Sequence, residues 1–190
     1  MDFLKQKTAQ TTEIISVCGL FAALSVVVML LAHIGVLTYA VPALAGALLV
    51  IIYLEFSIKN AFTVFITVSV LSFLICEKEA ALCYILFFGY YPLIKAYIER
   101  IKSKIAQWVV KVLLFSISFA LILVLATLVL GIPLDTMGLG IYYIIGLAVA
   151  LEIMFVLYDI ALTKVITLYL VAYREKFRRM MKLKNSGEDK

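Results

Sequence analysis

Twelve residues near the middle of the chain, Leu93 to Lys104, gather Lys95, Arg100, Lys102 and Lys104 between two long apolar runs. A basic cluster this close to hydrophobic spans is held on the cytoplasmic side of a membrane. Once that connection is assigned, alternation assigns every other one. Of the 17 Lys and Arg residues, all but Lys78 then fall on the cytoplasmic side. An even number of spans with both termini inside satisfies the charge pattern.

The solvent for such a chain is lipid. It is 65% hydrophobic and 15% charged, with a mean hydropathy of +1.13, whereas a soluble domain is about half apolar and about a quarter charged. A helical span takes ~20 apolar residues, so six take about 120. The rest of the 190 residues supply short connections and two polar tails. The predicted fold is all-α: one integral membrane domain over residues 1–190, a bundle of six transmembrane helices with both termini cytoplasmic. The spans are expected at 14–32, 36–54, 61–76, 80–98, 107–130 and 141–162. The sixth apolar run continues to about Ala172, too far for one crossing, so it tilts or runs on along the inner surface. A basic cytoplasmic tail covers 173–190. The polar start, Met1 to Glu13, leads into a full-length first span with no small-residue cleavage site, which reads as a retained helix rather than a signal peptide.

Local signals refine this frame. Gly19 and Ala23, like Cys18 and Ala22, are four residues apart and make a groove in which another helix can approach closely. Asn60 is expected to cap the third helix. Pro92 within the fourth span deprives the carbonyl of Phe88 of its helical donor. Trp108 anchors the fifth span at an interface. Gly131 to Gly140, with three glycines and one proline, is the longest outward loop.

Chemistry-bearing residues are few. Three cysteines and one histidine complete no zinc-type set, so no metal and no cofactor is expected. Cys76 and Cys83 flank one outward turn and leave a disulfide conceivable. No HExxH, Gly-x-Ser-x-Gly or phosphate-cradling loop is present, and no nucleophile stands beside a histidine, so the chain does not read as an enzyme. The basic loops are explained by membrane orientation, which removes nucleic acid as a partner. Two acids lie in the sixth span. Glu152, about 16 Å from its outer end at 1.5 Å per residue, stands near mid-membrane, where an ionisable group marks a functional site by default. The alternative is a protonated or locally bonded structural acid. Asp159, deeper, is expected to pair with Lys164 at the inner interface. Tyr84, Phe88 and Tyr91 form an aromatic stripe at helical spacing. With Glu152, Glu79, Asp135 and Tyr143 they are candidates to line a pocket open to the outside. Aromatic faces and acids suit a flat, cationic or donor-rich small molecule.

Six short helices, cytoplasmic termini and a first span reading Gly19-Leu-Phe-Ala-Ala-Leu-Ser-Val-Val resemble the substrate-binding S component of energy-coupling factor (ECF) vitamin transporters. In that family an Ala-x-x-x-Ala pair on the first helix docks against a transmembrane coupling subunit. Gly19 and Ala23, with Ala22 beside them, are the corresponding docking residues here, a Gly replacing the first Ala. The turn Leu54 to Lys59 departs from the Gly- and Pro-rich turn frequent in the family. The resemblance implies capture of a vitamin or related micronutrient from outside, using helices four to six. It also implies a partner coupling subunit with an ATPase pair, and a prokaryotic plasma membrane. The alternative is a six-helix scaffold similar to rod-shape-determining proteins of cell-wall assembly, with no ligand.

Overall fold

The computed structural model describes residues 2–130 and 141–180, and over these the chain is helical with no strand. The elements in order are α1 (Asp2–Leu30), α2 (Ala40–Glu55), α3 (Ile58–Ile75), α4 (Lys78–Cys83), α5 (Tyr91–Ile98), α6 (Lys104–Leu130), α7 (Ile141–Leu168) and α8 (Arg174–Met180). A π-helical turn, Tyr84–Phe88, joins α4 to α5, and another, Tyr169–Tyr173, joins α7 to α8. Helices dominate because backbone groups in hydrocarbon must find their partners within the segment. Thr11–His33, Ile58–Ile75, Lys78–Ile98 and Lys104–Leu125 are long and apolar enough to cross a membrane. The apolar α2 is shorter, at 16 residues. Each of the six expected apolar stretches is therefore largely helical, with boundaries that shift: α2 starts at Ala40, inside its expected span, and α3 ends at Ile75, while others overrun. The polar start is already helical from Asp2, and α7 runs without a break to Leu168.

Two expectations about helix ends are corrected or refined. Asn60 does not cap α3: Ser57 does, in extended backbone, its Oγ accepting the Asn60 N–H at 3.3 Å. The cap moves because Ile58 and Lys59 already have helical geometry, which places the last non-helical hydroxyl three residues upstream of Asn60. Pro92 does not interrupt a continuous helix. The π-turn closes with the Gly89 N–H on the Tyr84 carbonyl at 2.7 Å, Gly89 and Tyr90 form a turn in right-handed helical backbone, and Pro92 stands within the first turn of α5, where its missing N–H costs nothing.

One core gathers α1, α2 and α3 around Met29, Ala45, Leu49, Val64 and Val68, with Tyr84 reaching into it. A second gathers Val50, Phe87, Tyr91, Phe155 and Leu162 from α2, α5, α7 and the first π-turn. Gly46 lets the two meet. A Cβ there would run into the carbonyl of Phe88, so only glycine admits the π-turn this close to α2. The turns at the two ends also find each other. Thr38 Oγ1 donates to Glu77 Oε2 at 3.2 Å, joining the connection before α2 to the one before α4. At the other end of α2, Arg174 and Arg178 of α8 hold the fully buried Glu55 carboxylate at 3.2 and 2.8 Å. Cys76 and Cys83 are free, buried thiols.

Candidate functional site

On α6 the buried polar residues Gln107, Lys111 and Ser118 are spaced four and seven apart, which puts them on one helical face. Each meets a partner from the fourth span or the connection that follows it. Gln107 Nε2 donates to the carbonyls of Ile101 at 2.7 Å and Glu99 at 3.2 Å, tying down the basic connection. Ser118 Oγ lies 2.6 Å from the Tyr90 hydroxyl. Lys111 faces Asp159 on α7 and Glu99 at the end of α5.

Lys95 completes the arrangement. The orientation of α5 after the π-turn leaves this lysine 1% exposed, pointing at Asp159. The four charges form a closed ring of alternating sign. Lys95 contacts Asp159 Oδ1, Asp159 Oδ2 accepts from Lys111 at 2.8 Å, Lys111 lies 3.3 Å from Glu99, and Glu99 lies 2.9 Å from Lys95. The Tyr91 hydroxyl donates to Asp159 Oδ1 at 2.5 Å. Both Asp159 oxygens are thus satisfied and the ring is neutral, which is the condition under which charges tolerate burial. Only Glu99, near the basic connection, is substantially exposed.

Asp159 therefore does not pair with Lys164. Five residues along a helix is about 140° of rotation at 3.6 residues per turn, and Lys164 is exposed on another face. In the sequence the lysines that hold Asp159 read as part of the basic cytoplasmic cluster. Their pairing was not legible, because it depends on how α5 and α6 are rotated.

Seven residues before Asp159, Glu152 faces α6 again. Its Oε1 accepts from Ser116 Oγ at 2.7 Å, while Oε2 is buried and has no hydrogen-bond partner among the described residues. The contacts Glu152–Ser116 and Asp159–Lys111 advance along α7 as they retreat along α6, so the two helices are antiparallel. The donor to Glu152 is Ser116.

The other candidates are dispersed. Tyr84 is sealed in the first core, 5.9 Å from the Phe65 ring, its hydroxyl buried without a partner among the described residues. Tyr91 stacks on Phe87 at 5.0 Å in the second core, and Phe88 meets Tyr158 edge-on at 5.0 Å. The stripe packs the bundle shut around Phe87, Phe115 and Phe155. Glu79 is half-buried on α4 near the Thr38–Glu77 contact. Asp135 and the Tyr143 side chain lie outside the described residues. Of the docking residues, Gly19 and Ala23 are exposed on α1 and Ala22 is turned into the core. A Cβ at Gly19 would meet nothing within 4 Å. No group of three metal-ligating side chains occurs among the described residues. No protein-family model, curated protein or solved structure matches this chain.

Proposed function

We propose that this protein is the membrane-embedded substrate-capture subunit of an importer powered by other chains, of the kind represented by ECF S components. In this reading six helices cross a prokaryotic plasma membrane with both termini cytoplasmic. A vitamin-like small molecule enters from the outside, and α1 docks a coupling subunit that carries an ATPase pair.

The observation that carries the reading is the unspent acceptor on Glu152. The ring around Asp159 is saturated and needs no further donor. Glu152 has one oxygen bonded to Ser116 and one buried oxygen without a partner among the described residues, an arrangement that costs about 1–3 kcal/mol while it lasts. A substrate N–H or cation recovers that cost on binding, which makes the carboxylate selective for donor-bearing ligands. The exposed Gly19 and Ala23 on α1 supply the small-residue surface that helix association in lipid uses.

The test is to identify the small molecule that co-purifies with the protein by mass spectrometry and to titrate it against wild type and Glu152→Gln. The amide keeps the shape and removes the charge. Affinity falls by about 1.5–3 kcal/mol, the scale of a hydrogen bond to a charged group, with thermal stability nearly unchanged. Equal affinities sink the assignment of Glu152.

A ligand-free scaffold similar to rod-shape-determining membrane proteins is the second reading. The closure of Tyr84, Phe87 and Tyr91 into packed cores favours it, since a scaffold needs no cavity among these residues. Absence of any co-purifying small molecule, with a cell-shape defect on deletion, would decide for it.

A further inference from the structure

At the end of the bundle where α8 docks, a groove of about 450 Å³ separates α2 from the end of α7. Ala47, Val50 and Ile51 form one wall, and Val165, Ile166 and Phe177 the other, with Lys176 at its edge. The basic residues of α8 divide their work. Arg174 and Arg178, four apart and so on one face, are spent on Glu55. Lys176 projects about 200° away from Arg174 at 100° per residue, is exposed, and has no ion pair among the described residues.

We infer that this groove binds one anionic phospholipid of the cytoplasmic leaflet, an acyl chain lying against α2 and α7 and the headgroup phosphate on Lys176. The volume falls within the range of small-molecule sites, about 300–1,000 Å³. An apolar wall would accept any acyl chain, and Lys176, without an ion pair among the described residues, confers selectivity. A cation beside apolar helices on the cytoplasmic side attracts anionic headgroups. The Glu55 clamp makes the site specific to the folded bundle, because it holds α8, and with it Lys176, against α2. This inference rests on the membrane orientation and is independent of any substrate at Glu152.

The experiment is native mass spectrometry of the full-length protein released from detergent with equimolar phosphatidylglycerol and phosphatidylcholine of identical acyl chains. Wild type retains phosphatidylglycerol in preference by about fivefold, the effect of one lysine near an anionic headgroup. Lys176→Glu abolishes the preference while still binding lipid, and Ile51→Trp, which fills the groove, reduces retention of both lipids. A photoreactive residue at Ile51 cross-links to lipid. Equal retention of the two lipids by wild type, or a preference that survives Lys176→Glu, overturns the inference. A cross-link from Ile51 to a second copy of the chain also overturns it.

Discussion

Lys111 Nζ stands 2.8 Å from Asp159 Oδ2, joining the start of α6 to a point past the middle of α7. That contact is one edge of a ring in which Lys95 and Glu99 supply the other charges. Asp159 is its hub, since Lys95, Lys111 and Tyr91 all converge on the one carboxylate. Replacing Asp159 by Asn leaves two buried lysines with only the half-exposed Glu99. Breaking a buried pair in this way costs about 3–5 kcal/mol. Lys111→Met costs less, because Lys95 and Tyr91 continue to satisfy Asp159 Oδ1. Thermal unfolding in detergent ranks the two variants, and equal melting temperatures would show that Asp159 is not the hub.

The approach of the first π-turn to α2 depends on one missing methyl group. Gly46→Ala places a Cβ against the carbonyl of Phe88, and backbone cannot yield as a flexible side chain would. The expected loss is about 1–3 kcal/mol, as for overpacking elsewhere. Gly19→Ala, with nothing within 4 Å of its new Cβ, is the control and leaves the melting temperature unchanged or slightly raised. Tolerance of Gly46→Ala would mean the two cores are not in firm contact.

The hold on α8 is concentrated on Glu55, whose side chain is fully buried between Arg174 and Arg178. Phe177 adds an edge contact to Phe21 of α1 at 6.3 Å. Neutralising the carboxylate with Glu55→Gln weakens both arginine contacts at once. Tryptic cleavage between Arg174 and Arg179 therefore accelerates several-fold while the rest of the bundle resists. A cleavage rate like that of wild type would assign the docking to Phe177 instead.

We propose, from the distribution of basic charge, that the connection between α5 and α6 is cytoplasmic. Ser103, exposed in that connection, is the residue to test. A Ser103→Cys variant in a cysteine-free background is not labelled by a membrane-impermeant maleimide added to intact cells, and is labelled after the membrane is opened. Labelling in intact cells would invert the topology and remove the outward site with it.

The proposed docking through α1 can be tested separately from folding. Gly19→Leu projects into open space and improves intrinsic helix propensity, so the melting temperature holds or rises. Co-purification with a coupling subunit is lost, and ligand binding persists. If the partner still co-purifies, another face makes the contact.

The helices and their order were legible in the sequence because the bilayer leaves little choice. Long apolar runs in hydrocarbon must satisfy their backbone internally, so Ile14 to Ala32 or Gln107 to Leu130 has one secondary structure whatever surrounds it. Glu152 was likewise legible as an acid needing a partner, since an ionisable group inside a long apolar run calls for one. Its partner, Ser116, was not. What tertiary structure alone decided is which side chains meet. The orientation of α5 after the π-turn faces Lys95 inward, and the rotation of α6 turns Lys111 toward it. Together they take Asp159 from the neighbouring Lys164, which the helix itself carries to another face. The same packing closed Tyr84 and Tyr91 into two different cores, although their spacing allowed a common surface. Spacing along a helix determines which residues share a face. What that face meets is set by packing and charge pairing among helices far apart in the chain.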